Sequence, residues 1–209
     1  MLMLTFLKVK KFLLLVVLFT LGWQMTAVAQ NRKMTKAERE AAWRAERLRK
    51  KAAEEAREHA QDSTAFVQAV EALRSGSWAL EASNVTFNNG VTRFVTESTN
   101  FVSINNGQGT VQTAFDNSNV YSPNGLGGIT LEGSVSGERM TQDSNGNIFY
   151  SYTVVGPSFS AMVYVTLAVN SNQASARIDP DFSGQSMTMN GYIYPYSTAG
   201  IFQGTASYY

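Results

Sequence analysis

The chain has 209 residues, no cysteine and a formal net charge of +1. Ten Lys or Arg lie between residues 31 and 61, whereas residues 62–209 contain four Arg and no Lys. The absence of cysteine excludes disulfides and thiol nucleophiles, and the shortage of basic groups after residue 61 argues against a nucleic-acid partner.

Residues 1–29 have the pattern of a cleavable signal peptide. A head with three lysines precedes an apolar run over residues 12–23, and the small residues of Ala27-Val28-Ala29 place the cleavage before Gln30. An uncleaved anchor is the alternative, but the run is short for the ~30 Å hydrocarbon core of a bilayer. We therefore expect an exported protein, periplasmic or extracellular, with no stable membrane span after cleavage.

A charged helical arm is predicted over residues 30–61. Thr35-Lys36-Ala37-Glu38 forms a capping box, and helix-forming residues continue from it to about Ala60. Trp43 and Leu48 are the large apolar residues of this segment, and their spacing of five places them on no common stripe. The arm thus has little to bury. A basic helix lying on a membrane surface is less favoured, because such helices carry a bulky apolar face.

A β-rich domain is predicted over residues 62–209, and it begins with a short second helix. Asp62-Ser63 marks the start of this helix and Ser75-Gly76 its end. Its apolar face is predicted from side chains that recur at nearly helical spacing, namely Phe66, Val67, Val70 and Leu73.

From Trp78 onward the apolar residues alternate with a period of two, which is typical of strands. Val85 falls out of phase with Trp78, which predicts a β-bulge near Ser83-Asn84. Asn-Gly and other turn-forming pairs separate the runs and predict short antiparallel connections. The pattern predicts a mainly β fold of about 8–10 strands in an antiparallel meander, closed into a barrel or folded as a sandwich. The strand-like runs cover residues 78–87, 91–96, 101–104, 110–115, 129–135, 147–155, 159–169, 174–178, 186–194 and 201–207.

Several segments together resemble a known family of exported bacterial proteins. They are NFVSINNG (100–107), VQTAF (111–115), PNGLGGITLEG (123–133), NQA (172–174), PDF (180–182) and MTMNG (187–191). With the signal peptide and the charged helix, they resemble the domain of unknown function 4251 family over roughly residues 35–206. The resemblance implies export and a β-rich domain, and it implies no catalytic residue, cofactor or ligand.

The residues of the β-rich region offer little catalytic chemistry. His59 is the only histidine and lies in the charged arm, so a Ser-His-Asp site and the usual zinc sites are not expected, and no cofactor is predicted. Asp143 begins half of a calcium loop, but Val154 stands where the closing Glu is needed, so we interpret the segment as a hairpin turn. A hydrolase with two carboxylates is a weak alternative. Its candidates are Glu81, Glu97, Asp116, Glu132, Glu138, Asp143, Asp179 and Asp181.

Tyrosines supply the most suggestive pattern. Tyr192, Tyr194 and Tyr196 recur at every second residue and share one face of a strand, and Tyr150 and Tyr152 form a similar pair. The opposite face of the first strand carries Met187, Met189, Gly191 and Ile193. Tyrosines in rows suit sugars, peptides or amphipathic ligands, although cross-strand packing produces the same pattern.

The leading hypothesis is an exported, non-enzymatic binding module of the bacterial envelope. Its ligand would meet these five tyrosines or the mouth of the barrel, and its partner would be a small molecule, a glycan or an envelope protein. A structural or assembly protein that docks on another envelope protein is the alternative.

Overall fold

The computed structural model describes residues 34–115, 122–157, 160–181 and 184–207. The predicted signal peptide and its cleavage site at Ala27, Ala29 and Gln30 lie outside these residues, as does Asp116. Within the described ranges, no helix is both long enough and apolar enough to cross a membrane.

The first element is helix α1 (Lys36–Ser75), which begins at the predicted capping box. The backbone N–H of Glu38 donates to the Thr35 hydroxyl at 3.2 Å, and the N–H of Thr35 donates to the Glu38 carboxylate at 2.7 Å. Each residue thus satisfies a backbone donor of the other, which is the reciprocal arrangement that starts a helix.

The prediction of two separate helices is wrong, because α1 continues through Asp62. The hydroxyls of Ser63 and Thr64 donate to the carbonyls of His59 and Ala60, at 2.8 and 2.9 Å. These side chains bond back to the preceding turn and do not cap a new one, so the helix has no reason to break. The boundary between two compact units of the chain falls within α1, after Glu54.

Only the last part of α1 contributes to the core. Every residue from Lys36 to Thr64 is exposed, and burial begins at Ala65. Val67 was predicted on the buried face but is 65% exposed, whereas Ala69 and Ala72 are buried. The buried face recurs at i, i+3, i+4 and i+7, the spacing that a helix of 3.6 residues per turn requires, and comprises Phe66, Ala69, Val70 and Leu73.

Eight antiparallel strands form a closed barrel, to which a short extra strand is added. The closed form resolves the choice between barrel and sandwich. Two single-turn 3₁₀ helices, Glu97–Thr99 and Tyr196–Thr198, flank β3 and β9. The strands are β1 (Trp78–Phe87), β2 (Thr92–Phe94), β3 (Phe101–Asn105), β4 (Gln108–Ala114), β5 (Gly128–Gln142), β6 (Ile148–Val155), β7 (Ser160–Leu167), β8 (Gln173–Pro180) and β9 (Met187–Pro195).

Pairing of β1 with β9 closes the barrel. The ladder runs from Trp78 opposite Pro195 to Phe87 opposite Met187. Its register shifts between Ala82 and Asn84, which confirms the predicted bulge. The two backbones come so close at this point that a Cβ on Gly191 would lie 1.8 Å from a carbonyl oxygen of β1, so no larger residue fits there.

Two strands share the other edge of β1. Residues Trp78 to Glu81 pair with β3, and Asn84 to Thr86 pair with β2, the extra strand. From β3 to β9 each strand pairs with the next along the chain, as the predicted meander requires.

Side chains that alternate along each strand fill the barrel. On β6, for example, Ile148, Tyr150, Tyr152 and Val154 are all buried in one core. The last turns of α1 join the same core at the end of the barrel where β1 begins, and the backbone N–H of Ser77 donates to the carbonyl of Ala72 at 3.2 Å. The last turns of α1 therefore cover one end of the barrel.

The run over residues 201–207 was predicted as a strand, and this is wrong. This segment crosses the outer face of the sheet, where strand β4 already has a neighbour on each edge, so no continuous ladder can form. Isolated bonds hold it instead, including Phe202 N–H to the Ser98 carbonyl at 2.7 Å and Ser207 N–H to the Thr130 carbonyl at 2.9 Å.

The side chain of Gln112, an outward-facing and fully buried residue of β4, holds residues 201–207 against the sheet. Its amide nitrogen donates to the carbonyls of Thr99 and Phe202, at 3.0 and 2.8 Å. Its amide oxygen accepts from the Gly204 N–H at 2.7 Å and from the Thr130 hydroxyl at 2.8 Å. One side chain thus satisfies four polar groups from three parts of the chain.

We predict that the exposed part of α1 contributes little to stability. A chain that begins at Glu55 should melt within about 2 °C of the mature protein, because residues 36–64 bury no side chain. A chain that begins at Ser77 should melt much lower, since it lacks the buried face of α1. Thermal unfolding followed by circular dichroism measures both, and a large loss for the longer chain would contradict the prediction.

Replacement of Gln112 should destabilise the domain strongly. Gln112→Leu leaves buried donors and acceptors without partners, and we expect a loss of about 3 kcal/mol in the free energy of unfolding. Gln173→Leu, at an exposed position of β8, is the matched control and should change stability by no more than about 0.5 kcal/mol. Urea titration measures both values, and equal effects would show that the network is unimportant.

Candidate functional site

A partly open cavity of about 190 Å³ lies at the end of the barrel where β1 finishes, opposite the end covered by α1. Inward-facing residues at the ends of six strands form its walls. The apolar part of the lining includes Phe87, Val111, Leu131, Ala161, Ile178 and Met187.

The strand ladders bring these side chains together. Val111 stands opposite Leu131, Ile178 stands opposite Met187, and Met187 in turn stands opposite Phe87. Because side chains on neighbouring strands at paired positions point to the same face, all of them converge on the barrel axis.

The lining has polar but no ionisable side chains among the described residues. Thr113, Gln185 and Ser186 provide the polar groups. The volume exceeds the roughly 150 Å³ of an apolar protein cavity that binds benzene. A small, mainly apolar molecule or the end of an acyl chain therefore fits this site in both size and polarity.

Tyr192 and Tyr194 lie on the outer face of β9. Tyr192 is 40% exposed and Tyr194 is half-buried, whereas Met189 and Ile193 are buried inside the barrel. Burial raises the pKa of Tyr194, and the nearby charge of Glu81 raises it further. The inner and outer faces of β9 are therefore the ones predicted from the sequence, but neither Tyr192 nor Tyr194 lines the cavity.

Tyr196 does not continue the row, because β9 ends at Pro195 and Tyr196 begins a 3₁₀ helix. Its backbone N–H donates to the carbonyl of Ser77 at 3.1 Å. The expectation that it shares a strand face with the other two tyrosines is wrong, because the chain leaves the strand after Pro195 and turns into the 3₁₀ helix Tyr196–Thr198.

Tyr150 and Tyr152 lie inside the barrel, buried, and not on an outer binding face with the others. Both rings pack edge-on against Trp78, with ring centroids 5.8 and 5.9 Å apart. The structure therefore separates the five predicted tyrosines into an outer pair, an inner pair and one residue in a 3₁₀ helix. The amphipathic tyrosine side chain suits either face, so alternation alone did not distinguish them.

Several candidate carboxylates have structural partners. Glu81 accepts from the Gly200 N–H, Asp181 accepts from the backbone and hydroxyl of Ser160, and Asp179 pairs with Arg177 at 3.1 Å. The described residues contain no group of three or more His, Cys, Asp or Glu that could hold a metal ion.

The Asp143 segment forms the turn between β5 and β6. The Asp143 carboxylate accepts from the backbone N–H groups of Asn145 and Asn147, both at 2.9 Å. A further bond from the side chain of Asn147 holds the pKa of Asp143 below its ordinary value. These bonds occupy the oxygens that a calcium loop would present, in agreement with the hairpin interpretation.

Sequence reasoning named the barrel mouth as a site but none of the residues that line it. The sequence does contain one signal for these residues, which is their position along the predicted strands. Phe87, Ile178 and Met187 are inward-facing residues at the ends of predicted strands, and the meander brings alternate strand ends to the same mouth.

Comparison with known proteins matches the chain to a family model and to a solved structure, and it identifies no activity. The family model of a domain of unknown function, DUF4251, matches residues 60–193. A crystal structure of a DUF4251 family protein from Bacteroides eggerthii DSM 20697 is 41% identical, with a TM-score of 0.60. The match covers 69% of this chain and 96% of that one. No curated protein matches the chain.

Substitutions on the two faces of β9 should differ strongly in their effect on folding. Met189→Asp places a charge without a partner in the core and should unfold the domain, as measured by circular dichroism. Tyr192→Ser, on the outer face, should leave stability within roughly 1 kcal/mol. If both substitutions destabilise equally, the outer face of β9 is a second buried layer.

Proposed function

The chain belongs to the DUF4251 family, and we propose that it is an exported, non-enzymatic binding module whose barrel mouth holds the apolar part of a small ligand. The cavity of about 190 Å³ carries this proposal, because it has an apolar wall, polar groups and open access. Eight-stranded barrels have interiors that are either filled by side chains or just wide enough for one small ligand.

The proposal moves the ligand from the tyrosine row to the mouth. Tyr192 and Tyr194 lie on the outer surface, and the apolar lining has the character of a small-molecule site. A non-enzymatic role is supported by the hydrogen bonds and the ion pair that hold the carboxylates of Glu81, Asp143, Asp179 and Asp181. A two-carboxylate hydrolase stays a weaker alternative. Export is supported by the signal-peptide pattern of residues 1–29.

A docking role in the envelope is the second candidate, and one feature favours it. Phe149 on β6 and Met162 and Tyr164 on β7 point outward and are 42%, 44% and 44% exposed. Phe149 is a diagonal cross-strand neighbour of Tyr164, and Met162 lies two residues before Tyr164 on the same face of β7, so the three exposed side chains are grouped on the outer face of the barrel.

Filling the mouth should weaken ligand binding. Ile129 lines the cavity, and Ile129→Trp should weaken the binding of 1-hexanol, measured by isothermal titration calorimetry, about tenfold or more. Met162→Trp adds the same ring to the outer face and should leave the affinity unchanged. Equal affinities for both variants would exclude the mouth as the site.

A further inference from the structure

Arg93 differs from the other arginines of the β-rich domain because it lies on the inner face of the sheet. It stands opposite Val85 in the ladder between β1 and β2, and Val85 is fully buried in the core. Since paired residues of neighbouring strands point to the same face, the Arg93 side chain lies on the core side of β2, at an exposed position. Arg139 and Arg177 lie on the outer face, and Arg74 lies in the last turn of α1.

Arg93 is next to the cavity. Phe87 lines the cavity, and its backbone N–H donates to the carbonyl of Val91 at 2.9 Å. Arg93 follows Val91 by two residues, so it is a diagonal neighbour of Phe87 on the same face. Diagonal neighbours lie about 7–8 Å apart, a distance that a long side chain spans. Strand β2 therefore places a guanidinium group within reach of the edge of the cavity.

An open depression with Arg93 in its lining adjoins the cavity. Phe115 also lines this depression, and its ring centroid is 5.6 Å from that of Phe87 in the cavity wall. The two hollows thus share the Phe87–Phe115 pair as a common wall. Among the described residues, neither lining includes an Asp or Glu. The depression therefore presents a cation with no competing carboxylate in the same lining, although acidic residues outnumber arginines by ten to four after residue 61.

The two hollows suit the two parts of an amphiphile. The cavity of about 190 Å³ has an apolar wall and no ionisable side chain in its described lining, so it accepts an uncharged chain. A carboxylate buried there would lose its hydration without a partner, which is strongly unfavourable. At the edge of the cavity the same carboxylate stays in water and can accept charge-assisted hydrogen bonds from the planar guanidinium group of Arg93.

We propose that the barrel mouth binds a small carboxylate amphiphile, whose apolar chain enters the cavity while its carboxylate pairs with Arg93. This inference rests on the proposed function and deepens it by naming the class of ligand. The cavity wall selects for an apolar chain of limited size, and Arg93 selects for the charge of the group at the end of the chain.

Three probes that share one apolar chain and differ in charge test the inference. They are hexanoate, 1-hexanol and hexylamine, titrated calorimetrically into the mature protein at neutral pH. The wild type should bind hexanoate at least about tenfold more tightly than hexylamine, because Arg93 attracts the first and repels the second. Equal affinities, or a preference for hexylamine, would overturn the proposed class of ligand.

Variants of Arg93 test the residue itself. Arg93→Gln should weaken hexanoate binding about fivefold, the value of an exposed ion pair, and leave 1-hexanol binding unchanged. Arg93→Lys keeps the cation and should retain most of the hexanoate affinity. Arg139→Gln removes the same charge from an exposed position on the outer face, and this matched control should change neither affinity. If it weakens hexanoate binding as much as Arg93→Gln does, the net charge of the protein is responsible and the assignment to Arg93 is wrong.

The salt dependence of binding gives an independent reading. An increase in sodium chloride from about 0.05 M to about 0.5 M should weaken hexanoate binding to the wild type, because added ions screen an exposed ion pair. The same increase should have little effect on hexanoate binding to Arg93→Gln. An equal salt effect on both proteins would contradict the role of Arg93.

The remaining outcomes separate this inference from the proposed function. If Ile129→Trp weakens the binding of both 1-hexanol and hexanoate but Arg93→Gln changes neither, the mouth binds ligands and the inference about Arg93 fails. If Arg93→Gln weakens hexanoate binding but Ile129→Trp does not, the carboxylate binds at Arg93 without the cavity, and the inference again fails. If the wild type binds neither compound, both proposals fail.

Discussion

The pairing of β1 with β9 is the contact on which the rest of the structure depends, because it joins two strands about a hundred residues apart in the sequence. The ladder extends over the whole of β1, and it turns an open meander, with two exposed edges, into a barrel with an inside and an outside. Tight backbone approach at Gly191 and the shift between Ala82 and Asn84 belong to this ladder. Closure also creates two distinct ends, one covered by α1 and one that carries the cavity.

One part of the outer face of the closed barrel is buried beneath the C-terminal segment. β1 divides its second edge between β2 and β3, and the outer face of β3 and β4 is buried and not solvated, as Phe101 and Gln112 show. Residues 199–207 cover this face, and the side chain of Gln112 supplies the bonds that a neighbouring strand would normally supply. Gln112 and Asn124 lie in segments that carry the family resemblance. The Gln112 side chain and the Asn124 carbonyl, which accepts from the Thr205 N–H at 3.3 Å, both hold residues 199–207, so those segments have a structural role.

Local patterns in the sequence predicted the strands well, because alternation, Asn-Gly turns and the bulge are properties of neighbouring residues. The errors arose where distant parts of the chain decide the outcome. Nothing near Asp62 indicates whether Ser63 caps a helix or bonds back within one, and nothing in residues 201–207 shows that β4 already has two neighbours. The cavity depends on which strand ends meet, so its residues could not be identified before the closure was known.

The tyrosines show most clearly that closure of the barrel decides which side chains are buried and which meet solvent. Tyr150 and Tyr192 occur in similar alternating runs, yet one ring is buried beside Trp78 and the other is partly in water. For an outward-facing tyrosine the hydroxyl is satisfied by solvent, whereas an inward-facing one must find a partner or bear the cost of lacking one. The same alternating pattern thus gives a partly solvated side chain on β9 and a packed core side chain on β6, and only the closed barrel distinguishes the two.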